Sequence, residues 1–411
     1  MREGLPIRIW IIDHYAIHPM VPGITRHYSL AKELIKKNHD VMIIASNFQH
    51  RLGGSNADID SGLFKQDEID NINYLWIQTP SYSGNTVKRF YNMLLFGIRA
   101  RFNKLLLGRI NKPDVIIGLS PNPFAALAAE RLAAHHKVPF ILEVRDLWPA
   151  TLIELGNFSR HHPVIILLKY IERHLYRKAR KILTVLPGSV NYFLENGVQK
   201  EKIELIQNGI DTDLLPEVTL KARGIPFIIM YTGAHGLANN LETILYCAKI
   251  LTDDGLGERI LFRFFGDGPE KEKLITLAQT LEVSNVVFEN PVPKFKIYEK
   301  LAEADVLVAV LKKCRLYRWG ISLTKLFDYM AMAKPILFGA DAFNNPVEDA
   351  NAGFTVPPEN PFALAEAIKK MSKMDDYELQ KMGMNGKDYV LQNHSYKNLA
   401  NKLEGILLQV I

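Results

Sequence analysis

Cysteine is nearly missing from this 411-residue chain, which holds only Cys247 and Cys314. Two thiols cannot build a disulfide framework, and their scarcity fits a reducing cytoplasm. Long apolar runs are missing too: none approaches the roughly 18 residues that a membrane-spanning helix needs. The opening MREGLPIRIWII runs straight into a candidate strand and lacks the layout of a secretory leader. No repeats, low-complexity tracts or Cys/His clusters at metal-ligand spacing occur, which sets aside repeat arrays and zinc modules. Neither half carries the full glycine fingerprint with its downstream ribose acid, which argues against an NAD dehydrogenase. Acidic residues are absent from Lys88–Arg109 and again between Asp305 and Asp328.

What is present is an ordinary globular composition, 48% hydrophobic and 23% charged. The length suits two domains of roughly 200 residues each. A net charge of +6 and a pI near 9.0 point to an anionic partner. Charge alone does not choose among nucleic acid, membrane and phosphorylated substrate.

In order, Ile7–Ile12 reads as a first strand, followed by the loop HPMVPGITRHY and a helix to about Lys37; Val41–Ile44 is the second strand. This unit opens a doubly wound domain. Gly23 in its loop would let backbone approach a ligand, and serves equally as a turn glycine. Residues 51–71 read as a long polar surface loop. Val115–Gly118, Phe140–Val144 and Ile182–Val185 continue the strands. Arg145 and Asp146, in RDLWP, follow the carboxyl end of a strand, where α/β sheets bind ligands; a buried loop ion pair is the alternative. The second half starts near Ile203 and repeats the pattern: strand Phe227–Tyr231, loop TGAHG, helix Leu241–Leu251, strand Leu261–Phe265, loop GDGPEKEK, then strands Asn285–Phe288 and Val306–Val310. From about Asp375 the tail reads as helical to its end.

Two stretches stand out. Leu311–Phe338, LKKCRLYRWGISLTKLFDYMAMAKPILF, begins with Lys312, Lys313, Arg315 and Arg318 interleaved with Tyr317 and Trp319. Gly320 frees the backbone and Ser322 is placed to cap a helix whose Leu323, Leu326, Phe327 and Met330 share one face. Such a helix start suits a diphosphate; Lys325 would add charge and Asp328 would accept from a ribose diol. Equally, Lys325 and Asp328 read as a surface i,i+3 pair. The second stretch is Lys88–Arg109, read as one helix. Its stripe of Tyr91, Leu94, Leu95, Ile98, Phe102, Leu105 and Leu106 is flanked by Lys88, Arg89, Arg99, Arg101, Lys104 and Arg109. That pattern fits an anionic membrane surface or a core helix with a basic back; a further cluster, Arg173–Lys181, favours the membrane.

Taken together these residues resemble a GT-B glycosyltransferase of family 4 over nearly the whole chain. The carriers are the first glycine loop, RDLWP, NGID at Asn208–Asp211, YTGAHG at Tyr231–Gly236, GDGPE at Gly266–Glu270 and, above all, KLFDYMAMAKPIL. The nearest subset is the bacterial transferases that build O-antigen or capsule repeat units. The resemblance implies an α/β fold of two Rossmann-like domains facing across a cleft. An acceptor domain would cover 1–200, with the helix 392–411 packing back on it, and a nucleotide-sugar domain 201–391.

It also implies roles. Asp328 would hold the ribose; Lys325 and the N–H groups around Thr324 the diphosphate. Gly233, His235 and Gly236 would lie beside the phosphates, and Gly266, Gly268 and Val292 would line the base pocket. Gly23 would approach the donor from the other domain, and Asp146, Arg145 and Lys325 are the catalytic candidates. This sequence departs from the family at Gly320, where a Glu is usual, and at Ala234–His235, where an Arg is common. His235, Arg315 and Arg318 are the candidate substitutes. The implied reaction is a retaining, metal-independent hexosyl transfer from a nucleotide-sugar, expected to be UDP-linked and carrying an amino or deoxy sugar. The acceptor would be polyprenyl-diphosphate-linked or a glycan, with no cofactor and no nucleic acid partner. The enzyme would be cytoplasmic, resting on the inner face of the membrane. Asp58-Ile59-Asp60 and Asp211-Thr212-Asp213 imitate a DxD metal motif, but one falls in a polar loop and the other in NGID. The alternatives are a UDP-N-acetylglucosamine 2-epimerase-like enzyme and an inactive nucleotide-sugar-binding protein.

Overall fold

The structure is a computed structural model that describes residues 5–21, 23–48, 55–59, 62–82, 84, 87–108, 112–156, 158–217 and 224–411. Its contacts divide the chain into two units. The first runs to Gln207 and includes Arg318–Ser322 and Tyr396–Ile411; the second comprises Asn208–Tyr317 and Leu323–Ser395. Both are mixed α/β with a doubly wound sheet, the GT-B class of architecture.

The first unit's sheet has the order β3-β4-β2-β1-β5-β6-β7-β8. These strands are β1 (Arg8–Ile12), β2 (Asp40–Ser46), β3 (Phe64–Ile69), β4 (Ile72–Ile77), β5 (Val115–Leu119), β6 (Phe140–Val144), β7 (Lys181–Thr184) and β8 (Ile203–Leu205). Continuous apolar strings such as VIIGL are buried along their length, as expected of parallel strands covered on both faces. Ile9 pairs with Val41 on one side and Val115 on the other, which puts β1 at the centre.

Three expectations change here. Residues 51–71 are not all loop: β3 and β4 form an antiparallel hairpin. Asp70 and Asn71, at φ 51° and 61°, make its two-residue turn. The polar side chains of β3 had hidden it, because an edge strand with an exposed face carries no apolar run. The second half does not begin at Ile203, because β8 pairs with β7, and the boundary falls at Gln207. The terminal helix is shorter than 392–411. Ser395 is extended (φ −69°, ψ 137°) and breaks the tail, so Asp376–His394 stays with the second unit. Tyr396–Val410 packs Leu399, Leu403, Ile406 and Leu407 into the first unit's core, beside Leu30 and Leu34.

The second unit's sheet is wholly parallel in the order β11-β10-β9-β12-β13-β14. Its strands are β9 (Phe227–Thr232), β10 (Ile260–Phe265), β11 (Val286–Glu289), β12 (Val306–Val310), β13 (Ile336–Gly339) and β14 (Gly353–Val356). The chain winds outward from β9 through β10 to β11, then crosses back to place β12 on the other side of β9. Strand order therefore reverses between β9 and β12, and loops leaving the carboxyl ends there frame a crevice, the usual ligand position in open α/β sheets.

Candidate functional site

The loops at that reversal bring together most of the residues singled out by sequence. Gly233 follows β9 and Gly266 follows β10, with the Gly233 N–H donating to the Phe265 carbonyl at 2.9 Å. A Cβ on Gly266 would stand 1.9 Å from the Gly233 oxygen, and one on Gly268 2.4 Å from the His235 oxygen. Lys271 ties the loops together, donating to the Gly266 carbonyl at 2.9 Å and the Glu289 carbonyl at 3.1 Å.

The helix Thr324–Ala331 points its start into the same crevice. Lys325 donates to the Tyr231 hydroxyl at 2.6 Å and to Asn239 Oδ1 at 2.9 Å, with its ammonium 4.2 Å over the Tyr231 ring. It lies within 3.1 Å of where a Gly233 Cβ would sit. The cap position of the helix falls on Leu323, whose side chain cannot accept, rather than on Ser322. The helix thus starts at Thr324. Tyr329 anchors the helix to β9, its hydroxyl accepting from the Thr232 N–H at 2.7 Å. Phe327 stacks on His394 at 4.0 Å.

Asp328 is buried, and its partner is not Lys325. Lys294 donates to one carboxylate oxygen, and the Tyr298 hydroxyl to the other at 3.0 Å. That removes the surface i,i+3 pair as an account of Lys325 and Asp328. Val292 precedes Pro293, which opens the helix Lys294–Ala302 that carries both partners.

His235 is placed differently from expectation. Its ring is fully buried, faces Tyr231, Phe264 and Phe288, and neither nitrogen has a hydrogen-bond partner. Burial, reinforced by the Lys271 charge and opposed by Asp267, pushes its pKa down to about 4. A neutral, enclosed imidazole does not carry the charge that an arginine would bring to a phosphate. Gly236 also has no need to be glycine: its φ is −118°, and the nearest atom to an added Cβ is Asn239 Nδ2 at 4.0 Å. Arg318 lies over the Trp319 ring (4.6 Å), and Trp319 meets Tyr192 edge-on within the first unit. Asp211 caps its own turn by accepting from the Asp213 N–H at 3.1 Å, which accounts for DTD; Asp60 lies outside the described residues.

Gly23, Arg145 and Asp146 belong to the first unit. Asp146 is exposed, which excludes a buried ion pair there. It lines a cavity with Ser120, Trp148, Glu172 and Tyr176 of about 20 Å³, room for little more than one water molecule. Glu172 accepts from Tyr176 at 2.9 Å and Tyr192 at 2.8 Å, and burial pushes its carboxyl up to about 7.

Lys88–Arg109 is not one helix. Val87–Arg101 ends, and Asn103 caps a separate turn, Lys104–Leu107. Much of its apolar stripe faces outward: Phe102 is 68% exposed, with Tyr91, Ile98 and Leu105 also exposed, while Leu106 and the other face (Met93, Phe96, Ala100) are buried. Arg89 turns inward to the Tyr15 hydroxyl at 3.2 Å, and Arg99 donates to the Gln78 carbonyl. Lys88 and Lys104 point out and Arg101 is half-exposed; Arg109 lies outside the described residues.

The sequence profile described as Glycosyltransferase Family 4 matches residues 23–214, and that described as Glycosyl transferases group 1 matches 219–389. The chain belongs to the family 4, group 1 glycosyltransferases. The transferase is 22% identical over 310 residues to the probable glycosyltransferase WbjE of Pseudomonas aeruginosa, covering 72% of this chain and 74% of that protein. It is 26% identical over 217 residues to the putative colanic acid biosynthesis glycosyl transferase WcaI of Escherichia coli K12, covering 50% and 52%. Its fold matches that of HepE of Anabaena, solved with UDP and glucose, at a TM-score of 0.66 and 13% identity over 98% of this chain and 99% of the other.

Lys271, Asn239, Lys294 and Tyr298 escaped the sequence reading, and Tyr231 entered it only as the start of YTGAHG. Asn239 and Tyr231 lie in or beside the second glycine loop and were within reach of it; Lys294 had no signal beyond following Val292-Pro293.

Proposed function

We propose that the transferase moves a sugar from a nucleotide diphosphate, UDP by preference, to a lipid-linked or glycan acceptor in surface-polysaccharide synthesis, retaining anomeric configuration and using no metal. The observation that carries this reading is Lys325, fixed by Tyr231 and Asn239 at a helix start beside three close-packed glycines. Prepositioned cations and helix N–H groups stabilise a leaving diphosphate without reorganising, which is usually the largest catalytic term. Lys325 supplies the charge, and the glycines let backbone approach the phosphates. Lys271, held at the Gly266 and Glu289 carbonyls, adds a second cation. HepE, with its bound UDP, supports the choice of nucleotide, and WcaI, named for colanic acid, supports polysaccharide synthesis.

The test is incubation with UDP-N-acetylglucosamine and related UDP-sugars, with and without a bacterial lipid extract. Sugar transfer to lipid only when extract is present is the expected result. Formation of an epimer in the donor-only arm would instead make this a 2-epimerase.

Membrane contact belongs to the same reading. No helix among the described residues is long and apolar enough to cross a membrane. Two amphipathic helices, Val87–Arg101 and Pro163–Lys178, both pack on Pro123–His136 and present apolar side chains outward. Tyr170 and Ile166 are 66% and 57% exposed, and Arg173 and Arg177 stand nearby. Each surface cation adds roughly 1 kcal/mol of attraction to anionic lipid, screened by salt. Binding to anionic vesicles should therefore weaken as salt rises and be slight on neutral ones. Changing Lys88, Arg101 and Lys104 together to Glu should abolish it with UDP binding intact; Arg99, already engaged, is the wrong target. Indifference of the wild type to anionic vesicles at low salt would sink the membrane assignment.

A further inference from the structure

Lys294 and Asp328 form an ion pair whose side chains are only 12% and 10% exposed. The Tyr298 hydroxyl donates to the second carboxylate oxygen at 3.0 Å, and the Lys294 ammonium lies 5.3 Å from the Tyr298 ring centre. Such a pair contributes little net stability, because desolvating two charges offsets their attraction. Apolar residues of the same size would hold the Lys294–Ala302 and Thr324–Ala331 helices together as well. What the pair adds is hydrogen-bonding capacity. An ionised carboxylate offers about four acceptor positions, and Lys294 and Tyr298 each use one. The ammonium keeps donors beyond the one that Asp328 takes. Acceptors and donors side by side match a vicinal diol, in which every hydroxyl both gives and receives. The arrangement is also neutral overall, so it sets no net negative charge beside a diphosphate.

We propose that Lys294 and Asp328 read the donor ribose as a pair: the carboxylate accepts from one hydroxyl while the ammonium donates to the oxygen of its neighbour. Tyr298 is a positioning residue that holds the second carboxylate oxygen. Lys294 thereby becomes a specificity determinant for ribose over deoxyribose. This rests on the nucleotide-sugar reading of the second unit.

The test is calorimetric titration of wild type and Lys294→Met with UDP, 2′-deoxy-UDP and 3′-deoxy-UDP. In wild type, losing either hydroxyl should weaken binding about tenfold or more, as expected of contacts to charged groups. In Lys294→Met the penalty for one hydroxyl should vanish while the other persists through Asp328, a coupling that a protein–ligand double-mutant cycle isolates. If Lys294→Met weakens all three ligands by one common factor, Lys294 only neutralises Asp328 and the proposal is overturned. Because Lys294→Met leaves a carboxylate without its cation, the doubly changed Lys294→Met/Asp328→Asn protein serves as a second background. Neither deoxy penalty should survive there, and a surviving one overturns the proposal. A wild type that binds no UDP at all would overturn the parent reading and this proposal with it.

Discussion

Glu143→Ala should destabilise the first unit by about 3–5 kcal/mol, the usual cost of removing one partner from a buried ion pair. Glu143 lies on β6 and is 2% exposed. One of its oxygens meets Arg26 Nε at 2.8 Å and the other His27 Nε2 at 3.0 Å. The His27 Nδ1 meets Asp13 at 2.8 Å, and Arg26 donates to the Ile206 and Gln207 carbonyls at 2.8 and 2.6 Å. The cluster thus stitches the ends of β1, β6 and β8 to the start of the Arg26–Ile35 helix.

Burial alone would raise the Asp13 and Glu143 pKa values, but His27 outweighs it for Asp13, and Arg26 with His27 for Glu143, so both are lowered. For His27, burial is outweighed by Glu143 and then Asp13, and its pKa is raised above 6.5. The signs follow. The carboxylates contribute fully above their ordinary values of 3.8 and 4.5 and lose that contribution only as pH falls through their lowered folded values. His27 contributes fully below 6.5 and loses its contribution as pH rises through its raised folded value. Urea denaturation should therefore show the cluster contributing most between about pH 4.5 and 6.5, with an alkaline decline that flattens in Glu143→Ala. A loss under about 1 kcal/mol, with the pH slope unchanged, would mean that water already satisfies these charges.

Gly266→Ala should abolish UDP binding while leaving the helices folded. Gly266 sits at φ +146°, and its added Cβ would collide with the Gly233 carbonyl, a backbone atom that cannot swing aside as a side chain can. The conformation alone costs a non-glycine residue about 1–3 kcal/mol, and relieving the collision would push the two glycine loops apart where the phosphates should bind. Gly236→Ala, next to His235 in the same sequence motif yet with open space and an ordinary φ, should bind UDP as wild type does. Comparable loss in both would mean that the glycines serve flexibility and not close approach.

These glycines show how unevenly the sequence disclosed the site. The motif around Gly233 and Gly236 suggested equal roles, but only backbone conformation separates them, and composition does not encode φ. The stretch KLFDYMAMAKP gave its helix and returning strand plainly, because spacing of Leu326, Phe327 and Met330 fixes a buried face. It could not give the partner of Asp328: Lys294 lies 34 residues away on another helix, and long-range pairing leaves no local signal. His235 failed for the related reason that sequence names a titratable group but not its surroundings, here three aromatic rings. For Val87–Arg101 the period revealed an apolar stripe without saying which way it faced. Gly97 and Ala100 let the inner side approach its neighbour closely, since a Cβ on Gly97 would stand 2.7 Å from the Phe124 carbonyl oxygen; Met93 and Phe96 are buried on that side, while Tyr91, Ile98 and Phe102 stay outside.

The proposed contact of Lys325 with the diphosphate is tested most directly by one titration. UDP and uridine are titrated calorimetrically into wild type and Lys325→Ala. Losing one charge-assisted contact should weaken UDP by about 1.5–3 kcal/mol, roughly 10- to 100-fold, and leave uridine within about twofold, because the nucleoside has no phosphate for Lys325 to meet. Equal weakening of UDP and uridine, or no change in either, would contradict it and place the phosphate site elsewhere.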